Sequence, residues 1–259
     1  MILAIDIGNT NIVVGCFEDN EILFSERVST NHTATDIEYA TTIRMVLHIH
    51  GFNSSMLAGA IISSVVPGIT STVKNAIEKY TKLDDVMVVS PGMKTGLAIR
   101  IDNPAQLGSD LVVDAVAGIK QYPLPQIIID MGTATTISVI NKEKQYIGGL
   151  IMSGVGISAD ALTRRTSQLP KIAFEVPTKI IGTNTVDCMK NGIMYSSACA
   201  LDGIVERIED ELNEKCTVVA TGGLAETIVP LCKRDIILDS ELLLKGLMII
   251  YYKNTDLTH

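Results

Sequence analysis

One short pattern occurs twice in this chain, and that repetition limits the folds open to it more than any other feature. Residues 3–12 read LAIDIGNTNI and residues 127–136 read IIIDMGTATT. Aligned position by position, Asp130 falls on Asp6, Gly132 on Gly8, Thr133 on Asn9 and Thr135 on Asn11. The flanks agree as well: NIVVGCF, the turn EDNE and ILFSERV answer to TTISVIN, KEKQ and YIGGLIM. Each copy reads as a three-strand antiparallel meander with a polar turn after its first strand. The aspartates lie 124 residues apart, almost half of the 259-residue chain, which points to internal duplication rather than a short solenoid repeat.

Composition supports a buried sheet covered by helices. Apolar residues make up 47% of the chain while aromatics are 4% and tryptophan is absent, so the core must be built from Ile, Val, Leu and Ala. The length is enough to bury a real core in one large domain or two small ones. A net charge of −8 without clustered Lys or Arg argues against a nucleic-acid partner. No apolar stretch is long enough to span a membrane. The N-terminal run lacks a basic start and is interrupted by Asp6, so it is not expected to be a signal peptide. Cys16, Cys188, Cys199, Cys216 and Cys232 are scattered and odd in number, as expected of reduced thiols in a cytoplasmic protein. The four histidines lack metal-ligand spacing, so a zinc site is not expected.

A coarse reading predicts two similar lobes, residues 1–115 and 116–259. After the first meander come a helix over 34–50, a strand over 57–64, a helix over 67–81 and a short strand over 86–89. A loop over 90–103 precedes a helix opened by Asn103 as N-cap with Pro104 in its first position. The second meander, 126–152, leads into a polar, glycine-containing stretch. A long helix over 184–213, a strand over 217–220, a helix after Gly222-Gly223 and a last helix over 239–252 follow. The predicted class is α/β, a mixed sheet with flanking helices made twice. That organisation resembles the actin, Hsp70 and sugar-kinase superfamily, and the resemblance implies two duplicated ribonuclease H-like lobes with an ATP cleft between them.

The turn residues suit phosphate. Gly8 and Gly132 let the backbone come close to a ligand, and Thr10, Asn11, Thr133 and Thr135 supply neutral donors. A carboxylate cannot face a phosphate directly, so Asp6 and Asp130 imply cations between protein and nucleotide, magnesium by default and largely through water. Phosphoryl transfer also needs a group to orient the acceptor hydroxyl and take its proton. The segment NPAQLGSDLVVDAVAG offers Asp110, with Asp114 one turn on; Gly108, costly in a helix interior by ~1 kcal/mol, marks a close approach there. Two solvated aspartates on an exposed face would fit the same spacing. VVATGGLAE (218–226) suits an adenine or ribose lying against backbone, or plain strand-to-helix punctuation, and Asn184 or Thr185 suits a helix cap.

DIGNTN, NPAQLGSD, DMGTATT, GTNT and TGGLAE together resemble the type III pantothenate kinases, members of the acetate and sugar kinase, Hsc70 and actin superfamily, nearly end to end. The resemblance implies ATP-dependent phosphorylation of the pantothenate hydroxyl, the first step towards coenzyme A, by a cytoplasmic homodimer that uses magnesium and a monovalent cation, K+ or NH4+. It implies that Asp6, Ile7, Gly8, Asn9, Thr10, Asn11, Ile12 and Val13 form the first phosphate loop, with magnesium at Asp6. Asp110 would be the proton acceptor, Asp130 the monovalent-cation ligand and Thr133 a nucleotide contact. Gly108, Ser109, Asp110, Leu111 and Thr185 would line the pantothenate pocket. Two positions depart from the family's pattern: Leu111 stands where Gly-x-Asp is usually followed by Arg, and Ile101 where a tyrosine often precedes Asn-Pro. Either another cation, such as Lys94 or Arg100, then meets the anionic substrate, or the substrate differs, or this copy is catalytically weak. The rivals are another small-molecule kinase of the superfamily and a weak or inactive relative acting as a regulatory accessory factor.

Overall fold

In the computed structural model, whose described residues are 1–255, the first meander is β1 (Ile2–Ile7), β2 (Asn11–Glu18) and β3 (Glu21–Ser29). The chain continues through α1 (Asp36–Ile49), β4 (Gly59–Ser64), α2 (Pro67–Thr81), β5 (Val86–Val88), β6 (Ala98–Ile99) and α3 (Ser109–Gln121). The second meander is β7 (Gln126–Met131), β8 (Ala134–Ile140) and β9 (Gln145–Ser153). It is followed by α4 (Val155–Arg165), α5 (Thr185–Leu212), β10 (Thr217–Thr221), α6 (Ala225–Ile228), β11 (Ile237–Leu238) and α7 (Leu242–Asn254).

The strand orders show that the duplication extends beyond the meanders. One sheet runs β3-β2-β1-β4-β5 and the other β11-β10-β7-β8-β9-β6. Read from the meander outward, each is three antiparallel strands extended by two parallel ones. The second sheet adds the two-residue strand β6, parallel to β9.

Two compact units result. One comprises Met1–Leu97, Asp102–Ala117 and the chain from Glu241; the other comprises Ala98–Ile101 and Gly118–Ser240. In the first, strand alternation sorts β1 between two faces. Leu3, Ile5 and Ile7 join the core made with α1 and α2. Ile2 and Ala4 join a second core with Val113 and Val116 of α3 and Leu244, Leu247 and Ile250 of α7. Asp6 shares the parity of Ile2 and Ala4, which puts it on the α3 side of the sheet. In the second unit Ile127, Ile129 and Met131 pack on α4 and α5, and Asp130 shares the opposite parity with Ile128.

The expected helices over 34–50 and 67–81, the long helix and the strands at 57–64 and 217–220 are present within a residue or two. Three expectations change. Asn103-Pro104 opens a single 3-10 turn, Pro104–Gln106, in which Asn103 Oδ1 accepts from the Ala105 N–H at 3.3 Å; the α-helix starts only at Ser109. The polar stretch after the second meander contains α4, whose N-cap, Gly154, has no capping side chain to announce it. The two turns also differ by one residue: Ile7 pairs with Ile12 across four residues, Met131 with Thr135 across three. Thr135 is thus the counterpart of buried Ile12 rather than of Asn11, and at 4% exposure it is no phosphate donor. With that deletion, the register shift at Cys16/Phe17 and the one at Val139/Ile140 fall at equivalent places.

Candidate active site

Asp6, only 9% exposed, is the penultimate residue of β1, and the chain leaves the sheet through Gly8. The Gly8 N–H donates to the Asn11 carbonyl at 3.0 Å, and a Cβ on Gly8 would lie 2.9 Å from that same oxygen. The turn's carbonyls are drawn back into the fold. Thr30 Oγ1 donates to the Gly8 carbonyl at 2.7 Å, the Thr30 N–H donates to the Thr10 carbonyl at 2.9 Å, and His32 Nε2 stands 3.3 Å from the Asn9 carbonyl. Asn9, Thr10 and Asn11 remain exposed. A loop whose carbonyl oxygens are occupied from behind presents its donors outward, as an anion requires. Ile7 and Ile12 are buried and Val13 half-buried, so these three act as the frame of the loop.

Asp110 lies in the first turn of α3, on the face of β1 that carries Asp6. The Gly108 carbonyl accepts from the Val112 N–H at 3.2 Å, which makes Gly108 the boundary of the helix. Asp110 Oδ1 accepts from the Leu111 N–H at 2.8 Å and folds back over Gly108, where a Cβ would collide with it. The close approach that Gly108 accommodates is therefore this carboxylate. Burial pushes the Asp110 carboxyl above the ordinary aspartate value, with hydrogen bonds from the Leu111 and Asp110 N–H groups opposing the shift. Asp110 is half-buried and Asp114 is 1% exposed, so these are not two solvated carboxylates on an open face. Leu111 is half-buried, and its backbone, not a cationic side chain, serves the carboxylate.

The second unit holds the other expected residues. Asp130, half-buried, is the penultimate residue of β7, with Gly132 and Thr133 exposed beyond the strand. Two glycines pack against this turn. A Cβ on Gly154 would strike the Thr133 carbonyl and approach the Gly132 carbonyl to 2.9 Å; a Cβ on Gly222, whose φ is +93°, would strike Asp130 Oδ1 and approach the Met131 nitrogen to 2.6 Å. The TGG turn is thus a wall beside the Asp130 carboxylate as well as a strand-to-helix connection. Thr185 begins α5 and is exposed; the preceding Asn184 is the cap, accepting from the Asp187 N–H at 2.9 Å.

Among the described residues no group of three or more His, Cys, Asp and Glu could hold a metal by itself. One buried carboxylate beside a donor-rich turn nevertheless fits magnesium, which keeps several waters and arrives with phosphate. Asp130 fits a cation too: Gly222 keeps clear the space beside Oδ1 that a Cβ would fill. Thr30, His32, Gly154 and Gly222 were not singled out as supports by sequence reasoning, because each acts through a partner distant in sequence.

Comparison with known proteins identifies the family. The family model described as type III pantothenate kinase matches residues 2–207. A protein named type III pantothenate kinase from Bacillus cytotoxicus is 44% identical over 259 residues, covering 100% of this chain and 98% of that one. Another of the same name, from Halalkalibacterium halodurans, is 42% identical over 254 residues, 98% of this chain and 100% of that one. Solved structures share the fold at low identity. A Baf-family protein of Campylobacter jejuni has a TM-score of 0.59 at 19% identity, covering 97% of this chain and 98% of its own. The activator of the 2-hydroxyisocaproyl-CoA dehydratase from Clostridium difficile, solved with ADPNP, has a TM-score of 0.57 at 15% identity over 97% and 94%. With both named relatives matched along their whole length, this chain belongs to the type III pantothenate kinase family.

Proposed function

We propose that this chain phosphorylates the hydroxyl of pantothenate with ATP, the first step towards coenzyme A, with Asp110 as the group that takes the hydroxyl proton. The observation that carries the reading is the Asp110 carboxylate, half-buried, held by the Leu111 N–H and seated over a glycine on the Asp6 face of the sheet. The pantothenate oxygen attacks the terminal phosphorus of ATP, the bond to the leaving ADP oxygen breaks, and the hydroxyl proton passes to Asp110. A carboxylate whose proton affinity is raised by burial is a better acceptor than an exposed one.

Asp6 to Val13 receive the phosphates, the exposed residues 9–11 supplying donors and the buried ones the frame. Thr133 would contact the nucleotide, Asp130 would hold K+ or NH4+, and Gly108, Leu111 and Thr185 would border the pantothenate. Asp6 would hold magnesium through water, and the ion would supply neutralisation of the charge on the transferring phosphoryl group.

The protein acts as a homodimer in the cytoplasm. Ile151, Ile180 and Ile181 of the second unit are 78%, 61% and 76% exposed, apolar surface that a second copy would cover. All five cysteines are free, and no helix among the described residues is long and apolar enough to cross a membrane.

A coupled phosphorylation assay with pantothenate, ATP, magnesium and potassium, run beside Asp110→Asn, tests the reading. Activity that is lost in the variant, falls when sodium replaces potassium and is abolished by a magnesium chelator is the expected result. Turnover of ATP without transfer to pantothenate would overturn the substrate assignment. Undiminished activity in Asp110→Asn would overturn the base. Sedimentation as a monomer at micromolar concentration would overturn the dimer.

A further inference from the structure

Ser109 stands beside Asp110 in the first turn of α3, and its hydroxyl is consumed inside the fold. Oγ donates to the Ser64 carbonyl at 2.9 Å, accepts from the Ser64 N–H at 3.1 Å and lies 3.0 Å from Ser63 Oγ. A serine hydroxyl has one proton and two lone pairs. The carbonyl can only accept, so the Ser109 proton goes there; Ser63 must then donate to Ser109, which accepts twice. That fills the hydroxyl and leaves nothing with which to bind a substrate.

The partners connect this hydroxyl to the rest of the site. Ser63 is fully buried and lies opposite Asp6 in the β1–β4 register. It shares strand parity with Ile61, which packs with α3 and α7, so its side chain and that of Asp6 lie on the same face. Ser64 extends the linkage the other way: its Oγ accepts from the Val66 N–H at 3.1 Å and lies 2.7 Å from Thr70 Oγ1 on α2. Three hydrogen bonds therefore pin the start of α3 to the end of β4, which is in turn laddered to the strand that carries Asp6.

We infer that Ser63 and Ser109 form a clasp that positions the Asp110 carboxylate relative to Asp6, and that Ser109 is a positioning residue, not a pantothenate contact. The inference rests on the reading of Asp110 as proton acceptor. It reassigns Ser109 among the pocket residues and adds Ser63, at which no local motif points.

The test measures kcat and KM separately for Ser63→Ala, Ser109→Ala and Ser109→Thr in the full chain, with thermal unfolding of each and Asp110→Asn alongside. Both alanine variants are expected to lower kcat about 10-fold, because a slackened first turn displaces the reacting geometry. KM for pantothenate stays within about threefold, and Ser109→Thr, which keeps the hydroxyl, recovers most of kcat. A rise in KM for pantothenate in Ser109→Ala with kcat unchanged would make Ser109 a direct contact and overturn the clasp. Wild-type kcat and KM in Ser63→Ala would overturn it as well, and that variant, which removes a single bond, decides the matter if Ser109→Ala fails to fold. Full activity in Asp110→Asn would instead remove the base assignment on which the clasp depends, a separate failure.

Discussion

Replacing Gly108 by alanine should separate activity from stability. The added Cβ would sit well inside 3.0 Å of Asp110 Oδ1, and restoring ordinary contact near 3.4 Å moves that oxygen by about 1 Å. The other neighbours tolerate the methyl: the Asp110 carboxyl carbon and Val65 Cγ1 would lie at 3.5 and 3.6 Å. The backbone tolerates it too, since Gly108 is not in the left-handed region. Alanine at a helix cap costs up to about 1 kcal/mol, and a less flexible unfolded chain returns roughly 0.4–1 kcal/mol. The net change in stability should be under about 1 kcal/mol. Catalysis has no such offset. The displaced carboxylate loses its 2.8 Å bond from the Leu111 N–H and, on the role proposed for Asp110, leaves its place beside the acceptor hydroxyl. A misplacement of ~1 Å costs about 100-fold in rate, or roughly 2.7 kcal/mol. The coupled assay should show kcat down by that factor with KM for ATP little changed, and thermal unfolding should show Tm within a few degrees of the parent. A kcat within about threefold of the parent would refute the claim that Gly108 exists to seat this carboxylate. So would a loss of activity matched by loss of the fold.

Three further outcomes can be checked. Because burial raises Asp110 above its ordinary value of 3.8, ionising it costs more in the folded protein than in the unfolded chain; the acid limb of kcat/KM should lie above that ordinary value, and Asp110→Asn should be more heat-stable than the parent at pH 7, by a margin that narrows as the pH falls towards 4. Gly222→Ala forces a side chain into a φ of +93° and onto the Met131 backbone, so it should cost about 3 kcal/mol, roughly 6–12 °C in Tm, whereas Gly192→Ala, exposed in α5 with open space around it, should be neutral or slightly stabilising. Gly246→Ala would drive a methyl of α7 into the Val113 carbonyl of α3, 2.7 Å from its carbon; unfolding should show a loss of about 1–3 kcal/mol, and kcat should fall with it because Asp110 is one turn away.

What the sequence shows and what it conceals follow a physical division. The D-x-G turns, the meanders and the capped helices are legible because strand alternation, helical period and Asn or Pro caps are local signals. Asn103-Pro104 misleads because a 3-10 turn and an α-helix begin with the same cap chemistry; only Gly108 hints that the chain pauses before Ser109. The turn alignment misleads at Thr135, since a one-residue deletion flips which side of the hairpin a residue meets, and letters alone do not record pairing. Ser63 at the end of an apolar strand looks like ordinary punctuation until the β1–β4 register sets it opposite Asp6. Strand β6 is two residues long and is defined wholly by its parallel partner β9.

The same reasoning explains why the two halves of the duplication share so little sequence beyond the aspartate and glycine. Each turn follows a carboxylate near a strand end, and the fold supports the two by different means. Around Gly8, hydroxyl and imidazole groups from residues 30–32 bind the carbonyls. Around Gly132, the backbone is met by two glycines, Gly154 and Gly222, which come close enough that any side chain would collide. Polar supports of the first kind can be exchanged for others that reach the same oxygens, at a cost near that of one hydrogen bond, about 1 kcal/mol. Glycine supports cannot be exchanged, because what they supply is space. Substitutions behind the first turn should therefore grade activity, while those behind the second should remove the fold around Asp130 before they alter its chemistry.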